Sequence, residues 1–382
     1  MRRRGGVILG SLVGVILVLT GCAPPAADDS IPPRATPGPP ISSSPTSSEG
    51  WWQPAGEPTT LASGLAAPWS VVPLTEGGAL VSERDSGMVR EITTDGSVRT
   101  VGVVPGVVSG GESGLHGLAL WSDQDAGAVW LYAYHGAADD NRVVRMPLSG
   151  DPGALTLGDA ETVFAGIPRN RTHNGGRIAF GPDGQLYVTT GDAQIRDAAQ
   201  DPDALGGKIL RLTPEGDPAP GNPFGNAVWT LGHRNVQGIA WTHDGEMWAS
   251  EFGQDTWDEL NHIVGGANYG WPVVEGEAGD ERFSDPVVAW STSEASPSGI
   301  TAVGGTVFVT GLRGERLWVV DVSVSSTLER DATVGMVGQG RLRDVVAAPD
   351  GTLWILTNNT DGRGTPRTGD DVLIRLPIAP AG

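Results

Sequence analysis

The chain has 382 residues, of which 45 are acidic and 25 basic, giving a formal net charge of −20. That balance excludes a nucleic-acid partner, which needs a basic face for its phosphates. The 57 glycines, 29 prolines and 13 tryptophans, with lysine scarce, fit many short strands joined by turns, and the single cysteine excludes an intramolecular disulfide.

The first element is a targeting segment, residues 1–22. Arg2, Arg3 and Arg4 precede an apolar run, 7–19, that is short for a membrane span but suits a signal peptide. It ends in Leu19-Thr20-Gly21-Cys22, which resembles a bacterial lipobox. Cys22 is therefore the expected lipidation site, with the rest of the chain on the extracytoplasmic side of the cell membrane. Residues 23–58, rich in Pro, Ser, Thr and Ala, read as a disordered tether. Trp51 and Trp52 interrupt it, and could either pack on the following domain or touch the membrane surface.

A globular domain is expected over 59–382. Strands rich in β-branched and aromatic residues recur at 79–83, 129–134, 185–190, 246–251, 306–310 and 352–357, about 46 to 61 residues apart. Each is followed by another strand, at 88–92, 142–146, 208–212, 259–263, 316–320 and 371–376. The turn in GPDGQLYV near 181 recurs in THDGEMWA near 242 and APDGTLWI near 348. This pattern predicts an all-β, six-bladed β-propeller with four-stranded antiparallel blades. A pair of β-sandwiches or a solenoid are the alternatives. The strand at 59–65 is expected to complete the last blade and so remove two sheet edges.

Propeller ligands bind where loops converge on the central channel, and several polar motifs fall at equivalent loops. They contain Glu112 with His116, His173 with Asn174, His233 with Arg234 and Asn235, Gly253 with Gln254, and Arg341 with Arg343. His173 stands just before a tight hairpin, with two glycines after Asn174, where an imidazole can move a proton near neutral pH. Arg341 and Arg343 share one face of an extended strand and need anions, supplied by acidic side chains or by a polycarboxylate ligand. Arg234 and Arg313 add two more cations. His116 and His233 read as hydrogen-bonding loop residues, and Asp258-Glu259 as a solvated turn rather than a calcium site.

The stretches HNGGRIAFGPDGQLYVTTGD, GGKILRLTPEGDPAPGNPF, GHRNVQGIAW, EFGQDTWDELNHI, GANYGWP and GRLRDVVAAPDGTLWILT resemble the soluble aldose sugar dehydrogenases that use pyrroloquinoline quinone (PQQ), the glucose/sorbosone dehydrogenase family. The resemblance spans about 64 to 376 and implies a six-bladed propeller holding PQQ and Ca²⁺. It implies that His173 is the general base and that Arg234 lies over the quinone carbonyls, with Asn235 beside it. It likewise implies that Arg341 and Arg343 hold the PQQ carboxylates, and that the carbonyls of Gly253 and Gln254 hold calcium. Arg313 stands where relatives often carry lysine, and Glu112 where they often carry glutamine, a negative charge near PQQ. Thr172 replaces a sugar-contacting aspartate, and Phe252 a polar residue. The implied reaction is oxidation of an aldose to a lactone, with electrons passed to an external acceptor. Rival readings are a calcium-dependent lactonase-type propeller and a non-catalytic binding module.

Overall fold

The computed structural model describes residues 50–123, 127–323 and 332–381. Cys22, the targeting segment and most of the tether lie outside the described residues. Among the described residues there is no α-helix, only a 3₁₀ turn at Arg196–Gln200. No helix among them is long and apolar enough to cross a membrane.

Six antiparallel sheets form the blades. The first is Pro68–Pro73, Ala79–Glu83, Met88–Ile92 and Val98–Val103. The second joins Leu115–Asp123, Ala128–Gly136 and Asn141–Ser149 to two outer strands, Thr156–Leu157 and Glu161–Ile167. The third is Ile178–Phe180, Leu186–Thr189, Lys208–Leu212 and Val228–Leu231; the fourth is Val236–Trp241, Met247–Glu251, Trp257–Ile263 and Val288–Ser291. The fifth is Pro297–Val303, Thr306–Gly311, Arg316–Asp321 and Ala332–Val337. The sixth is Leu342–Ala347, Leu353–Thr357 and Val372–Leu376, closed on its outside by Thr59–Ser63, as the 59–65 strand was expected to do. β-structure begins earlier than the expected boundary at 59. Trp52–Pro54 pairs with Ile378–Pro380, and Trp51 and Trp52 pack on the core of the last two blades, which settles their place on the domain.

The second strand of each blade is central in its sheet and covered on both faces by neighbouring blades. Ala79–Glu83, Met247–Glu251 and Leu353–Thr357 are accordingly buried throughout. Leu80, Val89, Leu118, Leu131 and Val144 fill the seam between the first two blades. Each such side chain contributes about 1.5–3 kcal/mol by leaving water. The repeated turn has a local cause. Asp183 accepts the N–H of Gln185 at 3.1 Å, and Asp350 that of Thr352 at 3.1 Å, while the glycine between them takes the left-handed conformation.

Strand alternation places these turns at one end of the propeller. The links from each blade to the next, and from second to third strands, emerge at the other end. Every residue expected in the site lies on a link of this second kind or in the first two residues of the strand that follows. The innermost strands are also tied across the channel. Arg177 donates to Asp344 at 2.9 Å and to the Gln237 carbonyl at 3.0 Å, and its guanidinium lies 4.4 Å from the Trp69 ring centre. Asp344 also accepts the Val71 N–H at 2.9 Å.

Candidate active site

The loop bearing His173 is held before the imidazole does anything. Asn174 is buried; its amide donates to the Asn170 carbonyl at 2.8 Å and its oxygen accepts the Asn170 N–H at 3.1 Å. Tyr134 donates to the Asn174 carbonyl at 2.7 Å. Gly175 has φ of 61°, open to glycine at little cost. His173 itself has φ of 57°, a conformation uncommon outside glycine. Its N–H donates to Glu112 Oε2 at 2.9 Å, and its carbonyl accepts the Ala193 N–H at 3.1 Å.

The ring is held from both sides. His173 Nδ1 lies 2.7 Å from Asp192 Oδ1, and Nε2 lies 2.9 Å from Arg234 Nη2. Arginine only donates, so Nε2 accepts and Nδ1 carries the proton toward Asp192. Asp192 is fully buried and also accepts from Trp271 Nε1 at 2.9 Å and from the Gln194 N–H at 2.8 Å. Burial pushes this carboxyl up, but the hydrogen bonds from His173 and Gln194 outweigh it, and it sits below its ordinary range. Trp271 arrives on the long link 264–287 of blade four, which runs beside Val228–Leu231 to reach the site end; Tyr269 N–H bonds the Leu231 carbonyl at 2.9 Å and Trp271 N–H the Gly232 carbonyl at 2.9 Å.

Arg234 joins the imidazole to the Gly253 loop. It donates to the Phe252 carbonyl at 3.0 Å and to Gln254 Oε1 at 3.1 Å, and lies 5.6 Å from the Trp271 ring centre. Its backbone N–H bonds Glu251, which also holds His233 at 2.8 Å. Desolvation lowers the Arg234 pKa.

Beside this cluster opens a cavity of about 220 Å³, whose charged lining is Arg84, Arg313, Arg341, Arg343 and Arg363 against Glu112 alone. Arg341 and Arg343 share one buried counter-ion, Asp361, at 3.1 and 3.9 Å. Burial, with Arg341 and other arginines nearby, lowers Arg343 to about 9. Arg341 Nε and Asn235 Nδ2 are buried without a partner, a cost that a ligand oxygen would remove. An anionic ligand rich in carboxylate and carbonyl oxygens therefore fits these donors. Arg313, exposed, reaches the Thr292 carbonyl at 3.2 Å from the same lining. Gly253 and Gln254 donate N–H groups to Asp258 and Glu275, and no hydrogen bond from the described residues occupies their carbonyls. Among the described residues no three His, Cys, Asp or Glu side chains gather to hold a metal.

Some placements differ from those read off the sequence. Asp258 and Glu259 are buried, not solvated. Asp258 accepts the N–H groups of Gly253 and Ser296 at 3.0 and 2.6 Å and so braces the Gly253 loop, while Glu259 accepts that of Gly276 at 2.7 Å and braces the 264–287 link. His116 and His233 are hydrogen-bonded as expected, to the Glu112 carbonyl and to Thr230 with Glu251, but His116 is the second residue of the strand Leu115–Asp123 and only His233 lies on a loop. The charge of Glu112 has a use and a partner, the His173 N–H and Arg363. Asp192, Trp271, Arg84 and Arg363 join the site without a motif of their own in the sequence. Asp192 closes the same TTGD run that follows the His173 hairpin, and that proximity was its only signal.

Residues 65–374 match the profile of the Glucose / Sorbosone dehydrogenase family. The chain belongs to this family. Among curated members, the aldose sugar dehydrogenase YliI of Escherichia coli is 31% identical over 339 residues, covering 78% of this chain and 89% of that protein. Quinoprotein glucose dehydrogenase B of Acinetobacter calcoaceticus is 31% identical over 237 residues, covering 53% of this chain and 50% of that protein. Among solved structures, the PQQ-bound aldose sugar dehydrogenase of Streptomyces coelicolor superposes with a TM-score of 0.79 at 49% identity, covering 85% of this chain and all (100%) of that one. Membership makes this chain a relative of sugar dehydrogenases, one of which, from Streptomyces coelicolor, was solved with PQQ bound.

Proposed function

We propose that this protein oxidises an aldose at its anomeric carbon to a lactone, using PQQ and Ca²⁺ and passing the electrons to an external acceptor. The observation that supports the reading is the Asp192–His173–Arg234 line beside an arginine-rich cavity whose lining residue Arg341 keeps a buried, unpaired Nε donor. When bound, PQQ would supply an electrophilic quinone carbonyl as the acceptor of hydride from the sugar carbon. His173 Nε2, left with its lone pair by the proton on Nδ1, would accept the proton of the anomeric hydroxyl in place of the Arg234 donor it faces. Asp192 keeps Nδ1 protonated and stabilises the imidazolium that results. Arg234 would supply positive charge beside the quinone carbonyl, and the backbone carbonyls of Gly253 and Gln254 would hold a Ca²⁺ that adds Lewis acidity. Arg341 and Arg343 would hold the PQQ carboxylates, with Asn235, Arg313 and Glu112 as further contacts.

The tri-arginine start, apolar run and Leu19-Thr20-Gly21-Cys22 further support attachment through a lipid on Cys22 at the extracytoplasmic face of the membrane. The direct test is to reconstitute the purified chain with PQQ and Ca²⁺ and follow dye reduction across a panel of aldoses. Turnover dependent on both additions is expected. PQQ binding without turnover on any aldose would overturn the catalytic reading in favour of a binding module.

A further inference from the structure

Glu112 and Arg363 lie on links from different blades and meet at the wall of the arginine cavity. Glu112 precedes blade two; Arg363 lies between the second and third strands of blade six. One oxygen of Glu112 accepts the backbone N–H of His173 at 2.9 Å, and the other accepts Arg363 Nη2 at 3.2 Å. Arg363 is tied at its own backbone as well: its N–H donates to Asp361 Oδ1 at 2.9 Å, and Asp361 is the counter-ion of Arg341 and Arg343. Both side chains line the cavity, and Glu112 is its only acidic lining residue.

A carboxylate at the wall of an anion-binding cavity opposes the ligand. At partly buried separations of several ångströms that opposition is large compared with thermal energy. Glu112 cannot simply withdraw, because its other oxygen holds the base in its left-handed backbone conformation. We propose that Arg363 is a charge-compensating residue: it cancels Glu112 so that one carboxylate can hold His173 without expelling an anionic ligand from the cavity. Arg363 is a positioning residue that acts on ligand binding through Glu112. The inference deepens the function proposed above and rests on it for the identity of the ligand.

The test is a cycle of four folded chains: wild type, Arg363→Ala, Glu112→Gln and the double variant. Two probes are titrated into each by tryptophan fluorescence or calorimetry. One is PQQ with Ca²⁺; the other is pyridine-2,6-dicarboxylate in calcium-free buffer, a planar dianion that tests the anion site alone. Arg363→Ala is expected to weaken binding at least tenfold in the wild-type background and less than threefold in the Glu112→Gln background. Arg363→Lys, which keeps the charge, should stay within about threefold of wild type. Equal losses in both backgrounds, or no loss in wild type, would overturn the compensation. If wild type takes the dicarboxylate with this coupling but not PQQ, the compensation stands and the cofactor reading falls. If wild type takes neither probe, both fall.

Discussion

Replacing Asp192 by asparagine removes one charge and no volume, yet the side chain has no satisfactory orientation for an amide. With its oxygen toward His173 and Gln194, its NH₂ faces the indole N–H of Trp271 at 2.9 Å, donor against donor. Turned the other way, the NH₂ donates to His173 Nδ1 at 2.7 Å, and the ring proton moves to Nε2, where Arg234 Nη2 already donates from 2.9 Å. Either choice loses a charge-assisted hydrogen bond of about 1.5–3 kcal/mol in a fully buried place, which at 1.36 kcal/mol per decade is about 10- to 150-fold in rate. The second choice also leaves the base without its lone pair, which in the serine-protease triad extends the loss to about 10⁴. We expect kcat for dye reduction by the reconstituted Asp192→Asn chain to fall by about 10 to 10⁴. The PQQ dissociation constant should change less than about threefold, because Asp192 does not line the arginine cavity. A variant keeping more than about a third of wild-type kcat would refute the assignment of tautomer and base.

Three further outcomes are expected. Arg177→Met strands Asp344 across the channel and should cost about 3–5 kcal/mol in urea unfolding, with Arg177→Met/Asp344→Leu recovering most of it; a single-variant loss below about 1 kcal/mol would show that the cross-channel pair is not stabilising. Gly191→Ala would place a Cβ 1.9 Å from the His173 carbonyl oxygen, so kcat should fall at least about tenfold, and a crystal structure of the variant with the His173 loop unmoved would contradict this. Asp361 is pushed up by burial but pulled further down by Arg341 and Arg343, ending below its ordinary 3.8. Its contribution is therefore full above about pH 4 and lost as pH falls through the lower folded value. The stability advantage of wild type over Asp361→Asn should shrink on acidification below about pH 4, and an advantage that grows there would reverse the sign of the argument.

The blades were legible because their cause is local. An aspartate accepting the N–H two residues on, a left-handed glycine and an apolar strand recur in every PDG turn, so the repeat shows without any knowledge of contacts. His173, Arg234, Arg341 and Arg343 were legible for a related reason, as chemistry-bearing residues at the same step of that repeat. What escaped was pairing across the ring. Arg177 and Asp344 are 167 positions apart and Glu112 and Arg363 are 251 apart, and nothing in either neighbourhood names its partner. Asp258 and Glu259 misled because adjacent carboxylates most often face water; here two backbone loops, at Gly253 and Gly276, supply the N–H groups that make burial tolerable.

The closing strand Thr59–Ser63 has a consequence for the order of folding. Its partner, Val372–Leu376, is the last strand of the sixth blade to be made. Until those residues emerge, the strand at 59–63 presents unpaired amide and carbonyl groups, as does the outer edge of blade six, and both can template wrong pairings. Blades one to five assemble from neighbours in sequence, whereas closure requires a contact spanning nearly the whole domain, the kind that forms slowly. Ring closure is thus the step at which this chain is most exposed to aggregation, and the Trp52–Pro54 strand on Ile378–Pro380 adds a second stitch across the same seam once it is made.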